Sequence, residues 1–168
     1  MRADDFLSGG FNWFTGVVED RFDPEEMNRV KVRCFGYHTE DKNELDTDDL
    51  PWATVMMPVT SASMKGNGGN HHLEVGSWVV GFFRDGPSAQ DPMVMGSIAT
   101  QTNGTQDIPT ESSVDNKVYK SKAGHLIEID NKDGSEEIRI THGKKDSHIK
   151  MKSDGTIEIK SVLKTRIL

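Results

Sequence analysis

One cysteine in 168 residues, Cys34, excludes an intrachain disulfide framework. It stands in an alternating strand and reads as a small core residue rather than a reactive thiol. No apolar run approaches the roughly 18 residues that span a membrane. The N-terminus, Met1-Arg2-Ala3-Asp4-Asp5, lacks the apolar centre of a secretory signal, so folding in a cytoplasm without a cleaved signal is expected. Aromatics are scarce at 7%, and all seven Phe and all three Trp lie before residue 84. There is no Gly-x-Ser-x-Gly elbow, no His-Glu-x-x-His and no pair of cysteine ligands, which removes the common signatures of hydrolases and zinc sites.

What is present divides unevenly along the chain. Residues 1–119 hold 9 Lys+Arg and 19 Asp+Glu, whereas residues 120–168 hold 11 and 8. The acidic front half repels nucleic acid phosphates at long range, so nucleic acid is not an expected partner.

The central feature is the stretch 12–36, which reads as two strands around a turn. Residues 12–20 are rich in β-branched and aromatic side chains, and Pro24 sets the backbone of the turn that follows. Val30, Val32 and Cys34 alternate with Lys31, Arg33 and Phe35, the period of a half-buried strand. Further short strands are expected at 54–59, 78–83 and 92–98, with glycine and proline between them. That spacing, without a helical period, predicts a small closed or partly open barrel domain over 1–99 that includes an N-terminal arm at 1–11. Its expected core is Trp13, Val17, Val30, Val32, Cys34, Trp52 and Trp78.

Residues 100–118 are polar and read as a linker. Beyond it, over 119–168, short strands alternate about isoleucine. Ile127, Ile129, Ile138, Ile140, Ile149, Met151, Ile157 and Ile159 fall on one face, with Glu128, Arg139, Lys150 and Glu158 on the other. One thin apolar stripe without aromatics buries too little surface to offset chain entropy alone. Pairing with copies of itself about a rotation axis covers the stripe, and a closed prism removes exposed sheet edges. The eight residues are therefore placed in a shared core.

Sites of chemistry are sparse. The carboxylates of 38–49 read as a solvated loop, lacking the spacing of a calcium loop. Glu40 and Asp49 have the separation of a lysozyme pair, but Val55 stands where a threonine is needed. The glycine-rich 66–69 matches no phosphate loop, and the adjacent His71 and His72 face opposite ways on a strand. Arg21, Arg29, Lys31 and Arg33 form a basic strip beside Trp13 and Phe35, readable as a nucleic acid surface or as partners in ion pairs between subunits. His125 and His142 fall on the Ile face, where they either reach an ion on a symmetry axis or pack with hydrogen bonds. No catalytic, cofactor or metal site is expected.

The residues Asn12-Trp13-Phe14-x-Gly16-Val17-Val18-Glu19-Asp20-Arg21-x-Asp23-Pro24, with Arg29-Val30-Lys31-Val32-Arg33, Gly36-x-His38, Leu50-Pro51-Trp52, Pro58-Val59-Thr60-Ser61-Ala62 and Gly66-x-Gly68-Gly69, carry a resemblance. They resemble the N-terminal OB-fold domain of the baseplate central spike family of T-even-like contractile-tail phages. Ser121-Lys122-x-Gly124-His125-x-Ile127-Glu128-Ile129-Asp130 resembles the start of the β-helical spike of that family and of type VI secretion spikes. The resemblance implies an all-β chain: an OB barrel followed by an intertwined trimeric β-helix. It implies a homotrimer docked on the hub at the end of the tail tube. It also implies passage through the host outer membrane on contraction; the short spike ends at Ile167-Leu168 without a tip motif, which leaves either a separate tip protein or a truncated spike. Assembly in the host cytoplasm and a place in the virion follow, without a lysozyme domain between barrel and spike. A type VI-like injection spike and an OB-fold nucleic acid module are the alternatives.

Overall fold

The computed structural model describes residues 12–145 and 147–163. The expected arm at 1–11 lies outside them. Contacts divide the chain into two compact units, Met1–Ala99 and Thr100–Leu168.

The first unit is a closed five-stranded barrel built from β1 (Asn12–Asp20), β2 (Val30–Cys34), β3 (Trp52–Val55), β4 (Trp78–Phe83) and β5 (Pro92–Ile98). The strand order around the barrel is β1-β2-β3-β5-β4; only the β3–β5 pair is parallel. This is the five-stranded Greek-key arrangement of an OB-fold. The expected strand at 54–59 starts earlier and stops at Val55. Its register is set by pairing with β5, Thr54 against Met93 and Val55 against Val94.

The core consists of Phe14, Val18, Val30, Val32, Cys34, Ala53, Val79, Phe83 and Val94. Phe14 and Phe83 rings meet at 4.9 Å. Gly81, opposite Phe14, has no room for a side chain: a Cβ there would run into the Met93 carbonyl oxygen and stand 2.6 Å from the Phe14 ring. Close strand approach across the barrel therefore depends on this glycine.

Val30, Val32 and Cys34 are buried as expected, but the four other expected core residues are not in it. Phe14, Gly16 and Val18 point inward on β1, which turns Trp13 and Val17 outward. Trp13 is 52% exposed, set edge-on against Phe82 at 5.8 Å. Trp78, opposite Val17, is 40% exposed beside Phe35. Trp52, opposite Lys31, lies half-buried on the outer side beneath the Arg29 and Lys31 cations. The composition of β1 permits either phase, and closure of the barrel selects the one that puts Gly16 inside.

The acidic stretch 38–49 is not merely solvated. It folds over β2, burying Arg33 to 4% exposure. Arg33 donates through Nε and Nη2 to both Glu19 oxygens (2.9 and 3.0 Å), and to the carbonyls of Thr39 (2.6 Å) and Leu45 (2.9 Å). Lys31 donates to the Asp48 carbonyl at 2.6 Å. A guanidinium cannot be buried without such partners, and the loop supplies them.

Residues 100–118 also hold more structure than a linker. β6 (Gln101–Thr102) and β7 (Thr105–Gln106) form a hairpin about Asn103 and Gly104, both at positive φ. The Asp107 carboxylate accepts from Thr100 Oγ1 (2.6 Å) and Thr102 Oγ1 (2.9 Å). The next strand begins inside this stretch, at Asn116.

Candidate functional site: an apolar sheet face

The second unit contains an antiparallel meander: β8 (Asn116–Lys120), β9 (Leu126–Asp130), β10 (Glu137–Thr141), β11 (His148–Lys152) and β12 (Ile157–Lys160). Consecutive strands pair in one sheet within the chain. Tight turns explain this: Gly124, Gly134 and Gly155 take positive φ and reverse the chain locally.

Registry aligns the isoleucines. Tyr119, Ile127, Ile140, Ile149 and Ile159 are direct cross-strand partners in one row. Ile129, Ile138, Met151 and Ile157 make the second, parallel row. Side chains alternate, so a one-residue slip anywhere would break both rows. The eight expected spike-core residues thus share one face, and in the single chain each is between 43 and 65% exposed. Two unbroken rows of exposed isoleucine form a patch of the kind that soluble surfaces avoid unless something covers it.

The opposite face carries charged side chains, several of them ion-paired within the chain. Glu128, 7% exposed, accepts from Asn116 Nδ2 (3.3 Å) and Arg139 Nη1 (3.4 Å). Arg139 also bonds Glu137 through Nε at 2.6 Å. Glu158 meets Lys152 Nζ at 2.6 Å and His148 Nε2 at 2.7 Å. These bonds, Lys152 foremost, hold the Glu158 carboxyl down to about 2.

Alongside the first Ile row is a depression of about 520 Å³, lined by His125, His142, Ser147, Ile140, Ile149 and Ile159 among others. The two imidazoles meet edge-on at 4.5 Å. His125 Nδ1 accepts from the Gly143 amide (3.2 Å), and His142 Nδ1 from those of Lys144 and Lys145 (3.3 and 3.2 Å). The Nδ1 lone pairs therefore serve the turn. Among the described residues no group of three or more His, Cys, Asp or Glu is placed to hold a metal.

The other sequence candidates are dispersed. Glu40 and Asp49 are exposed, on the loop and on the short 3-10 turn Thr47–Asp49, while Val55 ends β3. The basic strip is neutralised inside the chain. Arg29 forks onto Asp23 (Nε 3.0 Å, Nη2 2.7 Å), Arg21 pairs with Glu74, and Arg33 with Glu19. Arg33 above all, with Thr47 and Lys42, lowers the Glu19 carboxyl to about 2 against the opposing effect of burial. Glu19 and Glu74 lie far in sequence from the cations they meet, so nothing local signalled those pairs; Asp23 meets Arg29 across the turn between β1 and β2.

Three quarters of the chain, residues 36–161, match the family described as Gp5 N-terminal OB domain. The chain is 44% identical over 87 residues to the pre-baseplate central spike protein Gp5 of Enterobacteria phage T4, covering 48% of this chain and 15% of that protein. It is 44% identical over 93 residues to protein Gp5 of Vibrio phage KVP40, covering 52% of this chain and 22% of that one. The chain thus spans less than a quarter of either relative's length.

Proposed function

This chain belongs to the Gp5 N-terminal OB domain family, and from that premise we propose that it is a structural component of a phage baseplate spike, assembled as a homotrimer. The observation that carries the trimer is the pair of isoleucine rows left bare on a sheet whose other face holds the charged side chains and their ion pairs. The width of that sheet supports three chains. Each strand has four or five residues, about 16 Å at about 3.3 Å per residue. Three such walls enclose an axis about 5 Å from each, half the ~10 Å spacing of two sheets packed face to face. Isoleucine fills that radius. Four walls would leave the axis about 8 Å away, and a void down the centre.

In this reading the rows run along the axis and make a continuous apolar column. Burying eight half-exposed side chains stabilises assembly by roughly 6–12 kcal/mol per chain before ordering costs. The role is mechanical. Hydrogen-bonded walls around a dry column resist compression, so the spike transmits force from the contracting tail to the host outer membrane, while the barrel adapts it to the hub at the end of the tail tube. Assembly in the host cytoplasm and residence in the virion tail complete the proposal.

The test is the mass in solution by light scattering over a dilution series, with gel migration before and after boiling. Three chains per particle, resistant to detergent until boiled, is the expected result. A monomer at every concentration overturns the reading.

A further inference from the structure

We propose that the seams between the walls of this trimer are charge-matched, the basic flank of one meander docking on the acidic flank of the next copy. This rests on the trimeric reading and adds to it which surfaces of neighbouring chains meet.

The pairing registry gives the sheet two distinct flanks. Lys120 pairs with Leu126, Thr141 with Leu126 and His148, and His148 with Lys160, so residues 121–125 and 142–145 lie on one side. Asn116 pairs with Asp130, Glu137 with Asp130 and Lys152, so turns 131–136 and 153–156 lie on the other. The first flank carries Lys120, Lys122, Lys144, Lys145 and Lys160 against one acid in its sequence, Asp146. The second carries Asp115, Asp130, Asp133, Glu136, Glu137 and Asp154 against Lys117, Lys132 and Lys152.

Part of this charge is used inside the chain. Lys120 pairs with Glu111, Glu137 with Arg139 and Lys152 with Glu158. Lys144 and Lys145 on one flank, and Asp133 and Glu136 on the other, are exposed and make no ion pair with another described residue. They cannot serve each other in the same chain. A strand length of about 16 Å separates the flanks, about twice the screening length at physiological salt. A ring of walls brings them together: every copy offers one flank of each sign, each seam is the same heterologous contact, and three close it. Two basic flanks side by side would repel, so the same charges also fix the direction in which chains follow one another.

The test uses the full chain with Lys144→Glu/Lys145→Glu, with Asp133→Lys/Glu136→Lys, and with all four changes together. The concentration of half-assembly is measured by sedimentation at about 50 and about 500 mM NaCl, conditions that span weak and strong screening. Each single-flank reversal is expected to raise that concentration about tenfold or more at low salt and less at high salt. The fourfold variant, complementary again, is expected to return near the parent. Single-flank variants that assemble as the parent does, or a fourfold variant no better than they are, overturn the seam and leave the trimer standing. A parent that never assembles overturns the trimer and the seam with it.

Discussion

Replacing Ile140 by Asp separates what the isoleucine rows do for one chain from what they do for the assembly. Ile140 lies between Ile127 and Ile149 and is 52% exposed in the single chain. There the change costs only cross-strand packing, about 0.5–1 kcal/mol. In the trimer each copy also loses the burial of the exposed half, about 1–1.5 kcal/mol per chain. Each further places a carboxylate in an apolar column, at a cost of about 2 kcal/mol or more. Over three chains the assembly loses on the order of 10 kcal/mol while a lone chain loses about 1. Light scattering is therefore expected to find monomer at concentrations where the parent is trimeric, with far- and near-ultraviolet circular dichroism unchanged for the barrel. Desolvation and mutual repulsion raise the pKa of three carboxylates near one axis. Acidification should thus recover part of the assembly by neutralising them. Lys150→Ser, on the opposite face, serves as the control and should stay trimeric. An Ile140→Asp chain that assembles at the parent's concentration refutes the placement of the rows in a shared core.

Three further outcomes bear on the barrel. Arg33→Met leaves Glu19 and two loop carbonyls without their buried partner, and urea titration should record a loss of about 3–5 kcal/mol. Glu19, lowered by Arg33 from 4.5 to about 2, has a depressed folded-state pKa, so its contribution is full above about pH 4.5 and lost as pH falls towards 2. Acid titration of the parent should show that loss, and Glu19→Gln should flatten it. Burial lifts the Cys34 thiol to about 12, so it should resist a disulfide reagent at pH 8 in the folded chain and react at once in urea. Prompt labelling of the native protein would contradict its place in the core.

Much of the architecture is legible in the residue pattern. Alternation located β1, β2, β4 and β5, and the isoleucine period placed eight residues on one face, because side chains alternate along a regular strand. The Asn103-Gly104 pair was a turn signal inside a stretch that its polarity made look like a linker. The phase of β1 was not legible. Trp13 and Phe14 are adjacent and both apolar, and only barrel closure, with Gly16 needed where strands approach, decides which one faces in. The loop 38–49 was similarly opaque: its acids suggested solvent, whereas its carbonyls serve Arg33.

By itself the sequence determined an all-β chain, a turn-rich front half able to close a barrel, and a tail with one apolar face, since these depend on periodicity and turn chemistry, which are local. Only the tertiary structure decided which aromatics are core, that the basic strip is consumed by Glu19, Asp23 and Glu74, and that the tail strands pair consecutively to leave basic and acidic flanks on opposite sides. Those outcomes depend on which residues distant in the chain are brought within a few ångströms, and registry between strands, not composition, sets that.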